Sequence, residues 1–300
     1  MLIHGYPAPK PPTRVVVMGA GGFVGNAISR RLERDRVEVL RLGRRDVDLL
    51  AANAAERLAE RLQPNDVFVA VSAVAPCRNA EMLRDNMIMA AAMVRAAASR
   101  PLAQVVNISS DAIYADAPVP LTESSPRTPE SLHGAMHLAR ELMFAAEIKA
   151  PVAILRPTLI YGAADPHNGY GPNRFRRLAA AGEAIVLFGN GEERRDHVMV
   201  DDVAELAART IYHCSSGALN IATGSVASFR DIAELIVRLS ERQVEIRPTP
   251  RSGPMPHNGY RPFDPAACHF AFPDFRYVPL AEGLARIHAE TGDERQVSGV

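Results

Sequence analysis

The 300-residue chain has no tryptophan, only two lysines (Lys10 and Lys149) and no net charge, because 34 basic residues balance 34 acidic ones. Balanced charge without a Lys/Arg stripe argues against a nucleic-acid surface or a membrane-seeking face. No apolar run reaches the roughly 18 residues of a membrane span, and the proline-rich segment 1–14 lacks the apolar core of a signal peptide. We therefore expect a cytoplasmic protein with a small-molecule partner, and neither nucleic acid nor membrane as a partner.

Cysteine is scarce as well. Cys77, Cys214 and Cys268 form an odd and widely spaced set. Such a set argues against a disulfide framework and contains no pair at metal-ligand spacing. We expect reduced, structural cysteines and no metal site.

Short β-branched runs alternate with longer helical patterns along the first half of the chain. The predicted strands are 15–18, 37–42, 67–72, 105–109 and 152–155, and the predicted helices between them include 23–33, 79–98 and 131–146. This alternation predicts an α/β fold of the Rossmann type, a doubly wound parallel sheet. After Tyr161 the alternation stops, which indicates a smaller, mixed C-terminal substrate-binding lobe.

Domain limits follow from this pattern. Residues 1–13 carry four prolines and are predicted to be a mobile tail, and residues 291–300 a frayed one. Residues 14–162 with about 196–225 are predicted to form the dinucleotide-binding domain, and about 163–195 with 226–290 the lobe. Within the lobe, Ser228 followed by Asp231 is typical of a capping box that opens a helix.

A glycine-rich turn, Gly19 to Gly25, follows the first strand directly and opens the first helix. In that context Gly19 allows the tight turn, Gly22 lets the backbone approach a pyrophosphate, and Gly25 lets the helix pack closely on the strand. The turn predicts dinucleotide binding. The second strand ends in Leu42-Gly43-Arg44-Arg45, with no acidic residue for a ribose 2′-hydroxyl, so Arg44 favours NADP over NAD.

Further motifs accompany this turn. They are Asp48-Leu49, Asn86, the segment 109–114 (SSDAIY), the segment 156–162 (RPTLIYG) and the segment 187–203 (LFGNGEERRDHVMVDDV). Together with the glycine spacing they resemble the extended short-chain dehydrogenase/reductase superfamily over roughly residues 14–290. Within it, the chain is similar to nucleotide-sugar epimerases, dehydratases and reductases.

The resemblance implies roles for individual residues. Asp48 and Leu49 would contact the adenine, and Ser110 would hydrogen-bond the reacting sugar oxygen. Arg195 would hold the substrate diphosphate, with Asn173 and Arg261 as further candidates. The implied cofactor-binding residues are Gly19, Gly22, Phe23, Val24, Gly25, Arg44, Asp48, Leu49, Ser72, Ala73, Val74, His137 and Pro157.

The chain departs from the family at its catalytic pair, a Tyr and a Lys four residues later. His133 stands at the Tyr position and His137 at the Lys position. Realignment does not remove this departure, because Tyr6 and Lys10 have the spacing but Pro7 and Pro9 prevent the helix that it requires.

Several interpretations of the two histidines are open. In the first interpretation, His133 is the acid/base and His137 contacts the nicotinamide ribose. An imidazole with a pKa near 6.5 needs no lysine to bring its pKa close to neutral pH. Alternatively Asp111, Tyr114 or a water on Ser110 moves the proton, or the protein is a catalytically silent cofactor binder. A zinc site on the two histidines, completed by Asp111 or His197, is the least favoured.

A dehydratase is disfavoured because Ala112 occupies the position of its acidic residue. We therefore predict an NAD(P)-dependent epimerase or ketoreductase of a nucleotide-activated sugar. The helical segments 86–98 and 135–148 are apolar nearly all round, so each is covered on both sides, either by the chain's own cap or by a second copy. Because the resemblance implies pairing of the equivalent helices, we predict a homodimer.

Overall fold

The computed structural model of the protein describes the backbone of residues 1–297 and the side chains of residues 1–290. The frayed tail predicted at residues 291–300 lies outside the residues with described side chains. Within the described part, no helix combines the length and the apolar character needed to cross a bilayer.

The strands are β1 (Arg14–Met18), β2 (Glu38–Leu42), β3 (Val67–Ala70), β4 (Gln104–Ile108), β5 (Val152–Pro157), β6 (Leu159–Tyr161), β7 (Ile185–Phe188), β8 (Arg194–Met199), β9 (Gly217–Ile221), β10 (Val226–Ser228), β11 (Ile246–Thr249) and β12 (Tyr260–Arg261). Six of them form one sheet in the order β2-β1-β3-β4-β5-β9. Every pairing in that sheet is parallel. The predicted Rossmann-type sheet is confirmed, including its five predicted strands.

The helices are α1 (Phe23–Arg34), α2 (Ala54–Ala59), α3 (Ala80–Ala98), α4 (Leu132–Glu147), α5 (Pro172–Ala181), α6 (Val200–Tyr212), α7 (Phe229–Ser240), α8 (Ala266–Ala271) and α9 (Leu280–Val297). Side chains of a strand point alternately to the two faces of a sheet. In β1, Val15 and Val17 pack with α1 and α6, whereas Val16 and Met18 pack with α2 and α3. Each face of the sheet is therefore covered by helices.

The C-terminal part of the chain builds a second core. In the lobe, β8 pairs with β6, β10 and β12, and β7 pairs with β11. α7 begins at the predicted capping box, in which Ser228 and Asp231 each accept from the other's backbone N–H. The lobe limits differ from the prediction at α8, whose Cys268 packs with the core of the central sheet.

The N-terminal residues correct a second prediction, because residues 1–13 are not a mobile tail. Leu2 is buried in the sheet core, and Ile3 pairs antiparallel with Ser216, next to the edge strand β9. The His4 imidazole lies 2.7 Å from the Ser215 hydroxyl and 2.9 Å from the Ala271 carbonyl. These partners lie more than 200 residues away in sequence, so the local proline count carried no signal of them.

Candidate functional site

A cavity of about 630 Å³ opens where β1, β3, β4 and β5 end. The carboxyl ends of parallel strands are the usual ligand site of this sheet type. The volume lies within the range of small-molecule sites. Most residues predicted for the site line it, namely Gly19, Gly22, Phe23, Val24, Ser72, Ala73, Ser110, Asp111, His133, His137, Pro157, Asn173 and Arg195.

Other predicted residues do not line this cavity. Leu49 is only 3% exposed and belongs to the core beneath the sheet. Val74 is exposed, and its backbone N–H donates to the Asn86 side chain at 2.9 Å. The Arg44 side chain is 80% exposed and pairs with Asp48 at 3.4 Å, beyond the end of β2.

The glycine turn leads from β1 into α1 without an intervening loop. Gly22 is the N-cap of α1 in extended conformation, and Gly22 and Phe23 both line the cavity. A Cβ on Gly25 would overlap the carbonyl oxygen of Gly19. The close packing of helix on strand that the sequence assigned to Gly25 is therefore confirmed. The first turn of α1 presents its unpaired N–H groups at the cavity, which is the arrangement that binds phosphate.

The start of α4 brings His133 to the same cavity. Ser131 caps the helix by accepting the Gly134 N–H at 3.1 Å. A Cβ on Gly134 would overlap the carbonyl oxygen of Ala112, so a glycine at this position lets α4 approach the 3₁₀ turn at Asp111–Ile113. This contact brings His133 to the cavity that Ser110 and Asp111 also line.

The two histidines form an edge-to-face pair whose ring centroids lie 4.7 Å apart. Burial lowers the pKa of His133 below its ordinary value, and the charge of Asp111 opposes that shift. Burial lowers the pKa of His137 further, helped by His133 and Arg140, and its Nδ1 has no hydrogen-bond partner. The Cys77 N–H contacts His133 Nδ1 at 3.4 Å, which is too long to fix the proton on one nitrogen. Both rings are neutral at pH 7.

Tyr114, the alternative proton carrier, is part of a buried network instead. Its hydroxyl donates to Asn220 Oδ1 at 2.7 Å and accepts from Arg156 at 2.7 Å. Arg156 in turn pairs with Glu141 at 2.7 Å. Burial raises the pKa of Tyr114 above its ordinary value. The hydroxyl thus lacks both a free position and a low pKa, which disfavours it as the acid/base.

The two arginines predicted to hold a diphosphate form ion pairs with carboxylates of the protein. Arg261 is 2% exposed, pairs with Asp116 and, at 3.4 Å, with Asp111, and donates to the carbonyl oxygens of Asp111 and Tyr114. Its donors are therefore engaged within the protein. Arg195 pairs with Glu193 at 3.2 Å and lies 3.9 Å from Asp111, and it lines both the main cavity and a side chamber of about 200 Å³.

Two smaller polar groups complete the cavity wall. The Ser110 hydroxyl accepts from the Ala112 N–H at 3.2 Å, and the Asn173 side chain accepts from the Gly162 N–H at 3.1 Å. Asn173 also donates to the Ile160 carbonyl at 3.3 Å, so its amide ties α5 to the segment after β5. Both side chains line the cavity, and the substrate contacts that the resemblance implies for them stay a prediction.

Sequence reasoning missed His197 as a cavity residue and considered it only as a metal ligand. Its Nδ1 lies 3.1 Å from the Arg195 carbonyl, while its Nε2 is buried and unpartnered. Burial lowers the pKa of His197 to about 3, so the ring stays neutral. The signal was available, because His197 lies in the 187–203 segment. Among the residues whose side chains are described, no three His, Cys, Asp or Glu residues stand together as metal ligands.

Comparison with known proteins gives a consistent result. The family described as "NAD dependent epimerase/dehydratase family" matches residues 15–222. A UDP-glucose 4-epimerase of Mycolicibacterium smegmatis is 27% identical over 251 residues, 73% of this chain and 80% of that protein. A dTDP-4-dehydro-6-deoxy-D-allose reductase of Streptomyces bikiniensis is 25% identical over 279 residues, 79% of this chain and 84% of that protein.

The fold is also similar to solved structures. A UDP-glucose 4-epimerase of Thermotoga maritima, solved with UDP-glucose, superposes with a TM-score of 0.83 at 21% identity, over 94% of this chain and 99% of that one. At this identity the likeness shows the fold alone.

Proposed function

Because the chain belongs to the NAD dependent epimerase/dehydratase family, we propose that it is an NAD(P)-dependent epimerase or ketoreductase of a nucleotide-activated sugar in which His133 moves the proton. The observation that carries the proposal is the single cavity that His133, Ser110 and the glycine turn all line. A common cavity supports the combination of an imidazole as acid/base, a hydroxyl and a phosphate-binding turn, which this chemistry requires.

The residues present fit a dinucleotide. The first turn of α1 offers N–H groups to a pyrophosphate, and the unpartnered His137 Nδ1 is a buried polar atom in a residue that lines the same cavity. When bound, the nicotinamide accepts or donates a hydride. We propose NADP as the cofactor, because Arg44 follows β2 with a side chain that is 80% exposed and held by Asp48 at 3.4 Å, a contact that a 2′-phosphate can replace.

The proton transfer follows from the state of His133. A neutral imidazole accepts the proton of a sugar hydroxyl as that carbon is oxidised, and it returns the proton when the carbonyl is reduced. Ser110 donates to or accepts from the same oxygen and orients it. No lysine is needed, because an imidazole titrates near neutral pH without the help that a phenol requires.

We place the substrate in the outer part of the cavity, between Asn173, Arg195 and His197. Arg195 retains donors that the protein does not use, and these fit one phosphate oxygen. His197 Nε2 is a neutral acceptor and suits a hydroxyl or an N–H of the substrate.

A silent cofactor binder is the second candidate, and one observation favours it. The arginines of the substrate lobe are already paired with Asp111, Asp116 and Glu193, so a diphosphate must compete with carboxylates for them. In that case the cavity would hold the cofactor and catalyse nothing.

Deuteride transfer separates these functions. The protein is incubated with 4-deuterated NADPH or NADH and either dTDP-4-dehydro-6-deoxyglucose or UDP-glucose, and the sugars are examined by mass spectrometry and chromatography. Deuterium in the reduced sugar identifies a ketoreductase, and formation of UDP-galactose without net cofactor consumption identifies an epimerase. Binding of cofactor and sugar with neither reaction would favour the silent binder.

A further inference from the structure

Arg140 is a buried cation one helical turn beyond His137. It is 2% exposed and lies on the same face of α4 as His137, because residues three apart on a helix are neighbours. Its guanidinium donates to Asn107 Oδ1 and to the carbonyl oxygens of Ser72 and Ala70, each at 2.6 Å. These bonds fix the group against the ends of β3 and β4.

The positive charge of Arg140 is not cancelled by these partners. All three acceptors are neutral, and the uncharged Phe144 ring lies 5.8 Å from the guanidinium carbon. The neighbouring Glu141 is engaged by Arg156 and by the Ser109 hydroxyl. Burial lowers the pKa of Arg140 to about 10, which still leaves the group charged at pH 7. A buried charge without a counter-charge is costly, so its position has consequences for the groups around it.

An opposite charge lies at the other end of the histidine pair. The Asp111 carboxylate, on the 3₁₀ turn, acts on His133 and is itself contacted by Arg195 and Arg261. From the loop after β3, only the uncharged Cys77 N–H contacts His133. On α4 the charged neighbour is Arg140, which acts on His137. The pair therefore lies between a cation and an anion.

We infer that Arg140 is a positioning residue that keeps His137 neutral and so directs the first proton taken up by the neutral imidazole pair to His133. Two imidazoles whose centroids lie 4.7 Å apart disfavour a second positive charge. The fixed cation beside His137 then decides which of the two rings takes up the first proton. The inference rests on the proposed function in one respect, namely that the proton on His133 is the one transferred in the reaction.

The test is a side-chain NMR titration of both histidines in the substrate-free protein, with His133→Phe and His137→Phe used for assignment. Arg140→Gln removes the cation. Asn107→Asp keeps Arg140 but places a carboxylate against it, and it forfeits no bond because Asn107 Nδ2 has no partner. Both variants should raise the midpoint of His137 by about one pH unit or more.

Two controls separate charge from packing. Arg140→Lys keeps the cation and should leave the His137 titration near the wild-type one. Asn107→Ala removes one hydrogen bond without changing charge, so it should lower stability and leave both titrations in place. If Arg140→Gln does not fold, Asn107→Asp against Asn107→Ala still gives the answer.

The inference is overturned if Asn107→Asp and Asn107→Ala give the same His137 midpoint. This outcome is independent of the proposed function, because the titration needs no substrate. Conversely, a shifted midpoint in a protein that never transfers deuteride would retain the role of Arg140 and reject the enzyme. In an active enzyme, the acid limb of the pH–rate profile should also move in Asn107→Asp and not in Asn107→Ala.

Discussion

The histidine pair lines the main cavity and Arg261 lines the smaller chamber beside it, and the two differ in how many of their polar atoms have partners within the protein. His137 Nδ1 is buried without a partner, and His133 has only a long contact with a backbone N–H. Arg261, in contrast, has its guanidinium engaged by two carboxylates and two carbonyl oxygens. A polar atom that has no hydrogen-bond partner within the protein is available to a ligand, whereas a polar group whose partners lie within the protein stabilises the fold. We therefore expect substitutions in the first region to affect turnover and those in the second to affect stability.

The largest effect is expected from His133→Phe. It removes the proton acceptor and should lower kcat by about 10² to 10⁴, with cofactor affinity and unfolding free energy nearly unchanged. His269→Phe, at an exposed position of α8, is the matched control. Steady-state kinetics and cofactor titration make the comparison. Full activity of His133→Phe would remove this residue from the mechanism and return attention to Asp111.

The pH dependence of the wild-type enzyme belongs to the same prediction. His133 must be neutral to accept a proton, and burial lowers its pKa below 6.5. Measured in the direction in which the sugar hydroxyl is oxidised, activity should therefore be constant as pH falls toward 6.5 and decline only below it. A decline centred above pH 7 would point to another group.

Arg261→Met tests the second region, in which the arginine already has its partners within the protein. Removing one partner of a buried ion pair leaves Asp116 without its arginine and Asp111 with Arg195 alone, 3.9 Å away, which should cost about 3–5 kcal/mol of unfolding free energy. Urea denaturation measures the loss. Arg45→Met, at an exposed arginine, should change stability by less than about 0.5 kcal/mol. A stable Arg261→Met protein with weakened sugar binding would instead make Arg261 a substrate residue.

Arg44 lies outside both regions, and it tests whether an exposed arginine binds the cofactor as well as a buried group without a partner does. Arg44→Ala should reduce the preference for NADPH over NADH by about 1–3 kcal/mol, because charge-assisted bonds to the 2′-phosphate are lost. Fluorescence titration of both cofactors measures it, with the exposed Arg30→Ala as control. An unchanged ratio would show that Arg44 only pairs with Asp48.

The smallest expected effect concerns assembly. Ile88 on α3 and Leu142 on α4 are 42% and 53% exposed, so the outer face of this helix pair is apolar. Wild-type protein should sediment at about twice 32.5 kDa. Leu142→Asp should yield monomers, while Phe270→Asp, at an exposed position of α8, should not. Monomeric wild-type protein at micromolar concentration would contradict the dimer.

Some of the site could be predicted because its residues follow strand ends closely. Gly19, Ser72 and Ser110 each lie one or two residues beyond a strand, and parallel strands bring such positions to one edge of the sheet. His133 and His137 were found through the family resemblance, because they stand at the positions of its Tyr and Lys. The neutral state of the two histidines and the buried hydrogen bonds of Tyr114 could not be predicted from the sequence, because both depend on burial and on partners elsewhere in the chain.

The sequence by itself determined the parallel sheet, the glycine turn and the capping box that opens α7, because these depend on periodicity and on hydrogen bonds between near neighbours. Only the tertiary structure decided the docking of residues 2–4 and the saturation of Arg261. Arg261 and Asp116 are 145 residues apart, and Arg140 and Ala70 are 70 apart. Pairings over such distances are selected by the packed core, which removes water from the charges and leaves each with the partners that the fold provides.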